Sequence, residues 1–326
     1  MIRTWWTKAL CCAAVLAPLS AVDAPARAAE GRTLTIGIIE LFSGEFFTEA
    51  RKGYEEAAKQ DNLELLVENG DGDVATEAKL IDIFITRHVD AILVSVQSPT
   101  GSMAALRRAK EANIAVVCYD TCVNPPDDKA LVKAFVTSDN RGLGATTGKQ
   151  VADYVRARLG GKARLLLLTC ETFDVCKARR QGFDEALAGL DVEVLDAQEG
   201  FQTDKARPLA DAMLTAHPDA DLFMAFNDGA AIAAGQAVGE AGLAGKMPVF
   251  AIDVNPQVAA LIADAGSAVV WTTGQDPYSM GRIGVEFAAR AARGVTISDK
   301  DFYQFTPSPT YSKSDPKAVE DYIKAH

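Results

Sequence analysis

The sequence predicts an α/β protein of two similar doubly wound parallel-sheet lobes joined by crossing hinge segments. Three observations predict it. Short apolar runs of strand length alternate with helical patterns along the whole chain, the signature of βαβ units. That succession runs through twice. The chain also has 326 residues, more than a single hydrophobic core comfortably serves.

The first unit sets the pattern. Residues 33–39 (TLTIGII) are nearly continuously apolar rather than alternating, as in a strand covered on both faces. Ser43 and Gly44 mark a turn, and 46–60 reads as a helix. In open α/β sheets ligands bind outside the carboxyl ends of the strands. The 40–47 loop therefore faces a ligand position, and it carries two carboxylates and three phenylalanines.

The remaining elements follow in order. Strands are predicted at 63–68, 90–96, 113–119 and 131–137, with helices at 76–86 and from the 97–100 loop to 112. A long helix over 142–159 leads into the second lobe. There, strands at 164–168, 192–195, 221–226, 248–252 and 268–273 alternate with helices at 177–190, 206–216, 229–241 and 256–265. The 278–293 helix returns to the first lobe, and the tail from Asp301, with Pro307 and Pro309, reads as extended. The expected division is an N-terminal lobe of 32–138 plus 276–304 and a C-terminal lobe of 139–275 plus 305–326. Hinges are expected at 138–141, 275–277 and 301–307.

Composition narrows the function. A net charge of −11 argues against nucleic acid and against an anionic membrane surface. The three histidines, His88, His217 and His326, form no cluster, which disfavours histidine-based metal or acid–base chemistry. Residues 1–28 have a positive start (Arg3, Lys8), an apolar run at 9–22 and Ala26-Arg27-Ala28 as an A-x-A site: a cleavable secretory signal, too short for a bilayer span. The expected location is the periplasm. Four cysteines remain after it, Cys118, Cys122, Cys170 and Cys176. An oxidising compartment permits bridges among them, with Cys170–Cys176 the favoured pair and the full connectivity open. Their spacings are not those of a four-thiolate zinc site.

Enzyme motifs are weak. Gly142-x-Gly144-x-x-x-Gly148 misses the dinucleotide spacing by one and is better explained by close helix packing. Gly148-Lys149 lacks the Ser or Thr of a phosphate loop, and there is neither G-x-S-x-G nor H-E-x-x-H. No catalytic residue, metal or cofactor is expected.

The residues that carry chemistry recur at strand ends: Glu40, Glu45, Phe46, Phe47, Ser98, Asp120, Thr137, Cys170, Asn227, Asp253 and Gln275; Arg179, at the start of the helix after Cys170–Cys176, lies near the same rim, and Phe201 completes the candidate set. Carboxylates, amides and a guanidinium match hydroxyls that both donate and accept, and aromatic rings stack on the apolar face of a sugar ring. Asp139 and Asp228 read instead as helix caps.

These motifs resemble those of the ribose/galactose type of periplasmic sugar-binding proteins, the type I solute-binding components of ABC importers. SGEFF (43–47) resembles the N-P-F-F turn, VVCYDT (116–121) the strand with a ligand-binding aspartate, and KARRQGF (177–183) the R-x-x-G-F segment. FNDGAA (226–231), AIDVNP (251–256) and TGQDPYSMG (273–281) resemble the N-D-x-x-A, G-F-D-G-x-P and Q-x-P-x-x-x-G segments, and TSDN (137–140) marks the crossing. The resemblance implies a type I periplasmic binding protein fold in which Phe46 and Phe47 flank the sugar. Asp120, Arg179, Asn227, Asp253 and Gln275 would bond hydroxyls. It also implies a monomer that delivers a monosaccharide or sugar alcohol to an inner-membrane ABC permease, or, alternatively, presents it to a chemoreceptor or sensor kinase. Thr121 stands where a cation often follows the first-lobe aspartate, Glu40 and Glu45 add acid at the first loop, and Cys170-Glu171 stands at a usually apolar wall; fewer cations and more carboxylates point to a polyol, an unusual aldose or an amino sugar rather than an acidic sugar. A transcription regulator of this fold would need a DNA-binding N-terminus, and a hydrolase would need a nucleophile–base pair.

Overall fold

The structure, a computed structural model, describes residues 32–326 together with Met1; the predicted signal segment otherwise lies outside the described residues. Residues Thr33–His326 form one compact unit. Among the described residues no helix is long and apolar enough to cross a membrane.

The chain runs β1 (Leu34–Glu40), α1 (Glu45–Asp61), β2 (Leu63–Asn69), α2 (Val74–Thr86), β3 (Ala91–Val94), α3 (Met103–Glu111), β4 (Ala115–Tyr119), α4 (Asp127–Leu131) and β5 (Phe135–Ser138). It continues as α5 (Asn140–Arg158), β6 (Lys162–Thr169), α6 (Asp174–Ala186), β7 (Asp191–Glu199), α7 (Thr203–Ala216), β8 (Leu222–Ala225), α8 (Asp228–Glu240), β9 (Val249–Ile252), α9 (Pro256–Ala263) and β10 (Val269–Thr273). The last elements are α10 (Pro277–Ala292), β11 (Tyr303–Thr306), β12 (Thr310–Ser312) and α11 (Pro316–Ala325).

Two six-stranded sheets result, ordered β11-β5-β4-β3-β1-β2 and β12-β10-β9-β8-β6-β7. Apart from the last strand of each, the orders are the same pattern used twice. The first sheet is parallel throughout; in the second, β12 pairs antiparallel with β10. The continuous apolar runs behave as their composition requires: Ile36, Ile38 and Ile39 of β1 and Leu165–Leu168 of β6 are fully buried under helices on both faces. In each sheet the order reverses beside the first strand of its lobe, β1 or β6, which is where such sheets open a crevice at their carboxyl ends.

The chain passes from the first sheet to the second between Ser138 and Asn140, returns between Thr273 and Pro277, and passes over again between Thr306 and Thr310. β11 extends beyond the boundary expected at 304/305, because Phe305 and Thr306 pair with Thr137 and Ser138. The tail is also not simply extended. After β11 and β12 it closes with α11, which Asp315 caps through the Ala318 N–H and Pro316 starts at the first helical position.

Glycine pairs allow the helices to approach closely. A Cβ at Gly144 of α5 would collide with the Arg179 carbonyl oxygen of α6, and one at Gly182 with the Arg141 carbonyl oxygen. In the first lobe Gly53 and Gly281 make the same kind of contact between α1 and α10. Gly144 and Gly148 thus serve helix packing, whereas a Cβ at Gly142 would meet the carboxylate of Asp139, the cap of the same helix. Gly144→Ala is expected to destabilise the protein by about 1–3 kcal/mol through overpacking, even though Ala is the better helix former. Denaturant unfolding measures this; unchanged stability would contradict the close approach.

Candidate functional site

Between the two sheets lies a cavity of about 110 Å³. Ten of the thirteen predicted site residues line it: Glu45, Phe46, Phe47, Asp120, Cys170, Arg179, Phe201, Asn227, Asp253 and Gln275. Its size suits one small molecule and is well below the roughly 300–1,000 Å³ typical of drug-sized pockets.

The two aspartates that end β4 and β9 occupy matched positions. Both have left-handed backbone, Asp120 at φ 59° and Asp253 at φ 70°, a conformation Asp tolerates better than most residues. Each is held the same way. The Asp120 N–H donates to Val136 O, and Thr137 Oγ1 donates to the Asp120 carbonyl at 3.1 Å. The Asp253 N–H donates to Thr273 O, and Thr272 Oγ1 donates to the Asp253 carbonyl at 2.5 Å. The bent strand ends turn both carboxylates toward the cleft.

Arg179 of α6 is 3 % exposed. Its Nη1 donates to Asp253 Oδ2 at 3.0 Å and to Phe226 O at 2.9 Å, and its Nε donates to Asn140 Oδ1 at 2.9 Å. A buried guanidinium needs such pairing to be tolerated. Gln275 Nε2 donates to Asp253 Oδ1 at 2.8 Å, and its Oε1 accepts from Ser138 Oγ at 3.0 Å. Ser138 in turn lies 3.4 Å from Thr306 Oγ1. One polar chain therefore runs from the cavity through all three crossing segments.

The apolar wall is an arc of five phenylalanines. Phe46, Phe47 and Phe42 pack edge to face in the first lobe, with ring centroids 5.0 and 5.4 Å apart. Phe173 and Phe201 do so in the second at 5.5 Å, and Phe42 meets Phe201 across the cleft at 6.5 Å. The α1 N-terminus beside them has no side-chain cap.

Two of the carboxyl groups that line this cavity, Asp120 and Asp228, bind a proton more tightly than a free aspartate does. Asp120 is pushed up to about 7, chiefly by burial, with Arg179 opposing the shift and Asp253 adding to it. Asp228 is pushed up to about 6, again chiefly by burial and then by Asp253. A carboxyl whose folded value exceeds its unfolded value binds its proton more tightly in the fold, so its stabilising effect is present at low pH and lost as pH rises. Asp120→Asn mimics the protonated form and does not titrate. Its stability relative to wild type is therefore expected to improve by roughly 2–4 kcal/mol between about pH 4 and pH 8. Denaturant unfolding of both proteins across that range checks it; a constant difference would contradict the burial of Asp120.

Three predicted site residues do not reach this cavity. Glu40 turns away onto α1, where Arg51 Nη2 and Nε donate to its carboxylate at 2.6 and 3.2 Å, leaving Glu40 2 % exposed. Ser98 shapes the turn before α3: its Oγ accepts from the Gly101 N–H at 3.0 Å. Thr137 props the Asp120 backbone and borders a neighbouring cavity. A strand-end position fixes the neighbourhood of a residue but not the direction of its side chain.

Sequence reasoning missed Phe42, Phe173 and Asp228, all of which line the cavity. Asp139 caps α5 as expected, accepting from the Gly142 N–H at 2.9 Å. For α8 the cap is Asn227, whose Oδ1 accepts from the Ala230 N–H at 3.1 Å, and this frees Asp228 to face the cleft with Asn255 donating to its Oδ2 at 2.9 Å. Both local cysteine pairs are bridged, Cys118–Cys122 as well as the favoured Cys170–Cys176. Among the described residues no group of three or more His, Cys, Asp or Glu side chains is placed to hold a metal ion.

The chain is similar to known proteins. The periplasmic binding protein domain family matches residues 38–296. The Escherichia coli K12 "ABC transporter periplasmic-binding protein YphF" is 35% identical over 238 residues, 72% of each chain. The "D-ribose/D-allose-binding protein" of Pseudomonas aeruginosa is 27% identical over 299 residues, covering 89% of this chain and 91% of the relative. The crystal structure of a galactofuranose binding protein superposes with a TM-score of 0.81 at 23% identity, covering 90% of this chain and 99% of that one. Two parallel-sheet lobes of one topology, a cleft at their strand ends and these matches agree: the chain belongs to the periplasmic binding protein family, in the ribose/galactose type of the sugar-binding proteins of ABC transporters.

Proposed function

We propose that the protein binds one monosaccharide or sugar alcohol in the cleft, leaves it unaltered, and delivers it to an inner-membrane ABC permease. The observation that carries this reading is a single small cavity that joins paired hydroxyl-matching groups to an aromatic arc. Asp253 and Gln275 are held as a bidentate set, and Asp120 faces them with its Oδ2 accepting from Ser95 at 3.2 Å. Carboxylates and amides in such positions accept from and donate to vicinal hydroxyls, while the phenyl faces take the C–H side of the ring. Nothing in this set requires a reacting centre; binding and release are enough.

The two sheets with their helices act as the closing lobes, and the segments around Ser138–Asn140, Thr273–Pro277 and Thr306–Thr310 act as the hinges. Closure brings the Phe42 and Phe201 halves of the arc together and excludes water, and the closed form is what a permease distinguishes from the open one. In this reading the protein is exported by its N-terminal signal and works as a monomer.

A thermal-shift screen of aldopentoses, aldohexoses, pentitols and amino sugars, D-ribose and D-allose among them, tests the function. A ligand at 100 times its Kd stabilises the fold by about 2.7 kcal/mol, so at least one member is expected to raise Tm by several degrees. A flat response across the panel would overturn the reading.

A further inference from the structure

Both disulfides frame the cleft. Cys118–Cys122 closes a ring of five residues that contains Asp120 and Thr121, and Cys170–Cys176 closes a ring of seven that contains Phe173 and Val175. Asp120, Thr121, Phe173 and Val175 line the cavity, as do Cys170 and Cys176 themselves. The two rings sit on opposite lobes, one at the end of β4 and the other between β6 and α6.

Such short rings remove little freedom from the unfolded chain, so their effect on global stability is at the small end for a disulfide. What they fix is local geometry. Asp120 is the centre of a tight turn in which the Thr121 N–H donates to the Tyr119 carbonyl at 2.7 Å, with left-handed backbone at Asp120 itself. That conformation is strained for a residue with a Cβ and persists only where its surroundings enforce it. The Cys118 and Cys122 Cα atoms, 5.5 Å apart, clamp the two sides of this turn. The Asp120 N–H donates to Val136 O, Thr137 Oγ1 donates to the Asp120 carbonyl, and Thr121 Oγ1 donates to Val96 O at 2.9 Å, whereas the Asp120 carboxylate itself is bonded by the Ser95 hydroxyl at 3.2 Å. In the other lobe, Phe173 immediately precedes α6, whose N-cap position makes no side-chain bond. Cys176 lies one turn before Arg179, so the second bridge ties the arginine's helix to the end of β6.

We propose that the two cystines are positioning groups for ligand capture: Cys118–Cys122 holds Asp120 in the cleft, and Cys170–Cys176 holds Phe173 and the first turn of the Arg179 helix. This rests on the binding reading above. Without the first bridge the turn relaxes, the Asp120 carboxylate swings toward water, and the lobes stay folded around their cores.

Two measurements on C118A/C122A test the proposal. Carboxyl ¹³C NMR follows Asp120 directly and needs no ligand. Asp120 is expected to titrate near 7 in the wild type and clearly lower in the variant, with far-UV circular dichroism unchanged. An unchanged Asp120 titration would overturn the proposal. Calorimetry with whichever of D-ribose and D-allose raises Tm then gives a double-mutant cycle with Asp120→Ala. Removing the bridge is expected to weaken binding about tenfold in the wild-type background and less than twofold beside Asp120→Ala. Equal losses in both backgrounds would show a merely structural bridge and would also overturn it. C118V/C122A preserves more of the packing if the double Ala variant fails to fold. If neither sugar binds the wild type, the functional reading fails for those sugars and the titration still decides the role of the bridge.

Discussion

Arg179→Met is expected to destabilise folding by about 3–5 kcal/mol, the cost of leaving a buried charge without its partner. Arg179 bonds α5, the end of β8 and the end of β9 together, through Asn140, the Phe226 carbonyl and Asp253. Met fills much of the same volume, so the loss reports pairing rather than a void. Asp253 then stands in the cleft facing Gln275 alone. Denaturant unfolding reads the effect, and adding Asp253→Asn should recover part of it by removing the stranded charge. A loss below about 1 kcal/mol would mean that water replaces the guanidinium and that the site is wetter than its geometry indicates.

The second large effect is on binding. Asp253→Ala is expected to weaken ligand affinity by about 2–4 kcal/mol, roughly 30- to 1000-fold. The carboxylate has two tasks there. Oδ2 accepts from Arg179 and Oδ1 from Gln275, which leaves its remaining lone pairs for ligand hydroxyls. Its removal unpairs two donors on the protein as well as those of the ligand. Asp120→Ala is expected to fall in the same range, because Asp120 occupies the matching position in the other lobe. Calorimetry on each variant measures both.

Much of this architecture was legible because parallel strands buried on both faces write themselves as continuous apolar runs. β1, β3, β6 and β8 are of that kind, and their burial is complete or nearly so. Asp120 and Asp253 were legible for a related reason: an aspartate directly after such a run has few places to go except a cap or the cleft. The misses come from side-chain direction. Glu40 also ends a buried strand, yet Arg51 one turn and a half into α1 captures it. Asn227 and Asp228 are adjacent polar residues at a helix start, and which of them caps is decided by backbone turn rather than by type. Phe42 and Phe173 belong to loops, where no periodicity tells a cleft-facing ring from a core-facing one. The final helix α11 is short, and the prolines at 307 and 309 masked it, although Asp315-Pro316 is a good helix start.

The disulfides show the same limit. An even count of four cysteines allowed several connectivities, and only the fold brings Cys118 and Cys122 to either side of one turn. Gly144 and Gly148 were read correctly as packing residues because neither nucleotide motif fits their spacing, and a helix with Gly at 144 and 148 presents a bare stripe to its neighbour; Gly142 instead lies against the Asp139 cap.

The central claim is that a polar set divided between two lobes holds one small hydroxylated molecule without changing it. Calorimetry with the sugar or polyol that gives the largest thermal shift, followed by chemical analysis of the recovered ligand, tests it most directly. The account predicts one site per chain, an affinity lost by at least about 30-fold in both Asp120→Ala and Asp253→Ala, and a ligand returned intact. Unchanged affinity in both variants, or a chemically altered ligand, would contradict it.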